Sequence, residues 1–168
     1  MSRAFGNRPM AKSPSERQST TENLLRSLLS TQRLAVVATH SAAGHPYANL
    51  VAIAASGDLK QIYFATPRST RKFENLAADC RVALLVDSRG NREEDFHEAA
   101  AVTVVGSAGE LSGAEKEDAL RLYLARHPYL EEFVRAPTCA LFKIEVRRYV
   151  LVRNFQNVME LEMGGGKD

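Results

Sequence analysis

Between Gln61 and Asp87 the chain passes from strand to helix periodicity and back, which constrains its possible folds more than any other stretch. Ile62, Tyr63 and Phe64 are β-formers, and Pro67 stops the run. Arg68, Ser69, Thr70, Arg71 and Lys72 then put three cations and two hydroxyls into five residues. Phe73, Leu76 and Ala77 recur at helical spacing, so this basic loop feeds a helix start, and Arg81 to Val86 is a second apolar strand. A helix start offers free N–H groups and the positive end of its dipole, which suit a phosphate. Neighbouring hydroxyls and cations add charge-assisted hydrogen bonds to such an anion. A solvated basic turn, with Ser69 or Thr70 as an ordinary N-cap, explains the same residues without a ligand.

The flanking sequence supplies further strands joined by turns. Arg33 to Thr39 reads as a buried strand, His40 to His45 as a turn and Pro46 to Ala55 as the returning strand. Ser56-Gly57-Asp58 turns into the central stretch, giving an antiparallel meander. Asp87 to Glu98 is a charged loop, and Ala99 to Leu111 a long strand in which Gly106 marks a bulge or a close backbone approach. Ser19-Thr20-Thr21-Glu22 matches a capping box before the stripe Leu24, Leu25, Leu28 and Leu29. Ser112-Gly113-Ala114-Glu115 matches a second, opening a helix that His127-Pro128 ends. Tyr129 to Arg135 adds a helical turn, and Cys139 to Val152 is a strand pair or one long bent strand.

A chain of 168 residues fits one domain. Residues 1–18 are expected to form a flexible tail able to drape over a partner, 19–163 the domain and 164–168 a short tail. The net charge of +2 gives no global drive toward nucleic acid or anionic membrane. Cys80 and Cys139 lack metal or redox spacing and read as small core residues of a reducing compartment. With no membrane-length apolar run and no signal-peptide core, the expected location is the cytoplasm.

The segment FATPRSTRKFENLAADCRVALLV resembles the corresponding part of the FMN-binding split-barrel family, which includes pyridoxamine 5′-phosphate oxidase. The resemblance implies an α+β fold, an antiparallel six-stranded split β-barrel with flanking helices, spanning roughly Leu34 to Glu160. It implies a homodimer with FMN at the subunit interface and a small-molecule substrate. Thr66, Thr70, Arg71 and Lys72 match the family's phosphate loop, with Arg68 and Ser69 as second choices. Asn49, Leu50 and Val51 match the strand that runs under the flavin, although the oxidase branch commonly has an arginine at the position of Asn49. Asn154 and Phe155, with His127-Pro128, resemble a haem-utilisation branch of the same superfamily. The Arg-x-His pair with which pyridoxamine 5′-phosphate oxidase reads its substrate has no counterpart, since Arg147, Arg148 and Arg153 stand there without a histidine. The expectation is therefore an FMN-dependent oxidoreductase other than a vitamin B6 oxidase. A non-catalytic flavin or haem carrier or sensor, or an F420-dependent reductase, stands as the alternative.

Overall fold

The computed structural model describes residues 13–154 and 157–164. Seven strands form one antiparallel sheet in the order β3-β2-β1-β4-β5-β6-β7. They are β1 (Leu34–His40), β2 (Pro46–Ala55), β3 (Gln61–Pro67), β4 (Arg81–Asp87), β5 (Ala100–Glu110), β6 (Cys139–Arg153) and β7 (Asn157–Glu162). β3 also pairs with β6, from Gln61↔Glu145 to Pro67↔Cys139, and this closes β1 to β6 into a six-stranded barrel. The region left open as a strand pair or one strand is a single strand of 15 residues. One edge of β6 is divided: residues 139–145 pair with β3, while 148–153 pair with β7. The other edge pairs with β5 from Phe142 to Arg153, shifting register between Val105 and Gly106.

Period-2 alternation sends one set of side chains inward and the other outward. Val37, Leu84, Val104 and Tyr149 lie on one inward row and are almost fully buried. Phe64 and Phe142 stack across the closing pair with centroids 5.3 Å apart. Helix α1 (Pro14–Thr31) adds Leu25, Leu28 and Leu29 to this core. Helix α2 (Arg71–Ala78) adds Leu76, and its Phe73 meets Phe142 edge-on. A second apolar layer lies outside β3 and the first half of β6. There, Leu120 and Tyr123 of α4 (Gly113–Arg126) and Val134 of α5 (Glu131–Arg135) cluster with Ala54, Tyr63, Ala65 and Leu141.

Several local expectations are corrected. Helix α1 starts at Pro14 rather than after Ser19, because Ser13 and Glu16 form a reciprocal capping box. Ser112 does cap α4, but without a side-chain hydrogen bond, and the Glu115 carboxylate pairs with Lys143 instead of turning back to the cap. The charged loop after β4 contains a one-turn helix, α3 (Asp95–Glu98). Cys139 is buried as expected, whereas Cys80 is exposed; both are free thiols. β7 follows a turn in which Asn154 takes a φ of 50°, and Phe155 lies outside the described residues. Among the described residues no helix is long and apolar enough to cross a membrane.

His127, expected to break the helix and noted in the haem-branch resemblance, is completely buried between α4 and the 3₁₀ turn Pro128–Leu130. Its Nε2 lies 2.8 Å from the Ile53 carbonyl oxygen. A carbonyl only accepts, so Nε2 carries a proton, and Nδ1 is buried without a partner; burial disfavours the charged ring.

Two predictions follow from this packing. A Cβ at Gly106 would lie 2.3 Å from the Glu145 carbonyl oxygen, so Gly106→Ala must displace the β5–β6 bulge. Thermal unfolding should show a loss of about 1–3 kcal/mol. Gly57→Ala, whose added Cβ meets nothing within 4 Å, should stay close to wild type. Separately, burial holds His127 below its ordinary value of 6.5, assisted by Arg126 and Arg33 and opposed by the Ile53 carbonyl. Below that pH the unfolded chain takes up a proton that the folded chain resists, so this contribution is full above pH 6.5 and lost as pH falls. Urea midpoints should therefore decline from neutral toward about pH 5, and more shallowly in His127→Gln than in wild type.

Candidate functional site

The barrel wall parts between β2 and β3. Their ladder has three pairs only, Ile53↔Phe64 to Ala55↔Ile62. Beyond it β3 continues along β6, and residues 46–52 of β2 continue along β1. The Tyr123 hydroxyl stands where the next ladder pair would form. It reaches toward the Ala52 carbonyl at 3.5 Å and also takes the Ala65 amide as a partner. Burial pushes this phenol well above its ordinary value, so it stays a neutral donor and acceptor. Ile53 N–H donates to the Arg33 carbonyl on the β1 side. By antiparallel alternation the backbone groups of Ala48 and Leu50 then face the unpaired edge.

On the β3 side, Thr66, next to last in the strand, is fully buried. The Thr70 hydroxyl donates to the Pro67 carbonyl at 2.8 Å. In the 3.0 Å contact between Thr70 and Thr66, Thr66 must therefore be the donor. Lys72 Nζ in turn donates to Thr66 Oγ1 at 3.2 Å. The donors thus run in one direction, from Lys72 through Thr66 and Thr70 to Pro67. Thr70 is the N-cap residue of α2, yet its hydroxyl does not cap the helix amides. This departs from the ordinary capping alternative and leaves the first-turn amides of Arg71 and Lys72 facing outward from the helix start.

The cations of the loop divide sharply. Arg68 is held by the Glu110 carboxylate and the Pro137 carbonyl and lies over the Phe73 ring, so it is a structural tie. Ser69 is exposed. Arg71 and Lys72 have no carboxylate within ion-pair distance among the described residues. The Arg71 guanidinium lies 5.3 Å from the centroid of the Tyr47 ring on β2, bridging the parted strands.

The three β2 positions fare differently. Asn49 faces inward beside Val37, and its Oδ1 is buried without a hydrogen-bond partner. An orphaned buried acceptor is costly and marks a place suited to a ligand donor. Val51 is packed in the barrel core at 5% exposure, and the Leu50 side chain points outward at 66% exposure. Leu50 therefore offers an adjoining ligand chiefly its backbone, whereas the backbone of Val51 is turned to β1. Sequence reasoning missed Tyr47 and Asn75. Tyr47 could have been found by alternation, since it shares the face of Asn49. Asn75 is buried on α2 and donates to Thr39 at 2.9 Å, fixing the helix against β1; nothing local in the sequence reveals that long-range contact.

The arrangement presents two uncompensated cations, a helix start, the hydroxyl pair of buried Thr66 and half-buried Thr70, and an open strand edge around one gap. It suits an anionic, phosphate-bearing ligand. The model of the pyridoxamine 5′-phosphate oxidase family matches residues 21–153. No curated protein sequence matches the chain. Among solved structures, a haem-binding protein from Mycobacterium smegmatis superposes with TM-score 0.75 at 18% identity, covering 90% of this chain and 60% of that one. A Clostridium acetobutylicum protein related to general stress protein 26, of the pyridoxinephosphate oxidase family, gives 0.67 at 16%, covering 86% and 95%. An FAD-binding protein from Mesorhizobium loti gives 0.62 at 18%, covering 77% and 90%. At such identities these structures share the fold, and the family match spans most of the sequence: the chain belongs to the pyridoxamine 5′-phosphate oxidase family.

Proposed function

We propose that this chain is a homodimeric FMN-binding flavoprotein that oxidises or reduces a small molecule. The observation that carries the reading is the pair Arg71 and Lys72, without carboxylate partners at the start of α2 and beside buried Thr66. These residues would hold the FMN phosphate, with Arg71 able to grip two oxygens and Lys72 acting as a point charge. The backbone edge at Leu50 and the orphaned Asn49 Oδ1 would meet the polar groups of the cofactor. FMN, when bound, supplies the electron transfer, and the protein supplies binding and orientation. The missing Arg-x-His pair separates this chain from enzymes that read pyridoxamine 5′-phosphate.

A dimer is supported by the outer barrel face. Leu50, Val36 and Leu85 are register neighbours across β2, β1 and β4, next to Thr103 on β5. Leu50 is 66% exposed and Leu34, nearby on β1, 55%. Their exposure forms an apolar stripe suited to burial against a second copy. The stripe borders the open edge of β2, so a second chain seated there would wall the same gap.

A haem carrier has a nameable relative in the M. smegmatis protein. Here, however, the buried His127 has its Nε2 engaged by Ile53, and His40, His45 and His97 are exposed. The flavin reading has the better-organised residues.

Two measurements test the proposal. FMN should titrate into the protein saturably, and Arg71→Ala with Lys72→Ala should weaken it by about a hundredfold or more, at ~1.5–3 kcal/mol per charge-assisted contact. Unchanged affinity would remove the phosphate assignment, while preference for F420 or haem in the same titration would replace the cofactor. In sedimentation the protein should run as a dimer and Leu50→Asp as a monomer. A wild-type monomer with full FMN occupancy contradicts the interface site.

A further inference from the structure

The hydroxyl of Tyr123 enters the gap between β2 and β3 from a helix that belongs to neither strand. Ala52 and Ala65 are the next partners after Ile53↔Phe64, and by alternation theirs would be a hydrogen-bonded pair. Tyr123 Oη takes both groups of one bond of that pair. It accepts from the Ala65 amide and reaches the Ala52 carbonyl at 3.5 Å. A direct ladder bond would bring that nitrogen and oxygen to about 2.9 Å, whereas a hydroxyl bonded to both holds them farther apart.

The surrounding residues suit this insertion. Ala52 and Ala65 bring only methyl groups to the outer apolar layer, which leaves the buried Tyr123 ring room to reach the backbone. The end of α4 is fastened to the barrel. His127 Nε2 donates to the Ile53 carbonyl at 2.8 Å, and Arg126 donates to the carbonyls of Ser30 at 2.9 Å and Gln32 at 2.5 Å. The hydrogen-bonded pair after Ala52 and Ala65 would set Leu50 opposite Pro67, which has no N–H to give. Tyr123 therefore occupies the last full pair that β2 and β3 could form.

We propose that Tyr123 is the positioning residue of this cleft: its hydroxyl wedges β2 away from β3 and keeps the backbone edge at Ala48 and Leu50 open for the cofactor. The inference rests on the reading of the gap as the FMN site. The wedge acts at the fork of the strands and touches neither Arg71 nor Lys72. Its loss is therefore felt by a flavin with or without a phosphate.

The test is Tyr123→Phe in the full chain, which keeps the ring and removes only the oxygen. FMN and riboflavin should both bind it roughly tenfold more weakly than wild type, as hydrogen bonds from the strand edge are lost. Arg71→Ala with Lys72→Ala should instead weaken FMN far more than riboflavin. In cofactor-free protein, an NMR coupling through the hydrogen bond from the Ala65 amide to the Ala52 carbonyl should be absent in wild type. It should appear in Tyr123→Phe as the pair closes directly. Unchanged FMN affinity in the variant overturns the proposal, and so does a loss confined to FMN, which would place the effect on the phosphate loop. A coupling already present in wild type overturns it without recourse to the variant. Wild-type protein that binds neither flavin fails the cofactor reading instead, and the coupling then decides the wedge alone.

Discussion

The structure turns on how β3 divides its pairing. Along its whole length it bonds to β6, and that ladder makes a barrel of what would otherwise be an open seven-stranded sheet. Toward β2 it pairs at three positions and then departs, with the Tyr123 hydroxyl between the diverging backbones. Closing on one side and parting on the other are linked. The stacked Phe64 and Phe142 hold β3 against β6 near the point where it leaves β2. A closed cylinder of this size fills its interior with side chains, so a ligand is best received at such an interruption in the wall.

Polar chemistry collects at the interruption for the same reason. The helix that follows β3 begins where paired backbone ends, so its first amides, the Thr66–Thr70 hydroxyls and the unpaired strand edge converge. Arg68 shows how specific the result is. It lies within four residues of Arg71 and Lys72 but is neutralised by Glu110, leaving the other two cations uncompensated.

Much of the barrel is legible in the sequence because alternation and turn residues are local signals. The strands around Leu34–His40, Pro46–Ala55 and Arg81–Asp87 lie within a residue or two of where hydrophobic pattern puts them. The first turns of α1 escape that reading since exposed polar residues carry no apolar stripe. β7 escapes because Val158 is exposed and the inward positions are only Met159 and Leu161. For the candidate site, sequence identifies the loop but not its division of labour. That Thr70 turns to Pro67 rather than the helix amides, or that Arg68 finds Glu110 across the fold, depends on contacts made only once the chain has closed.

The seven-stranded order leaves two unpaired edges of different character. On β7 the strand is short, Glu160 and Glu162 place charge along it, and α1 packs beside it. Those features discourage another strand from adding on. The edge of β2 from Pro46 to Ala52 carries no acidic or basic side chain and ends beside exposed Leu50 and Leu34. Aggregation in a crowded solution would therefore start at β2, and whatever covers that edge acts as a solubility factor as well as a binding partner.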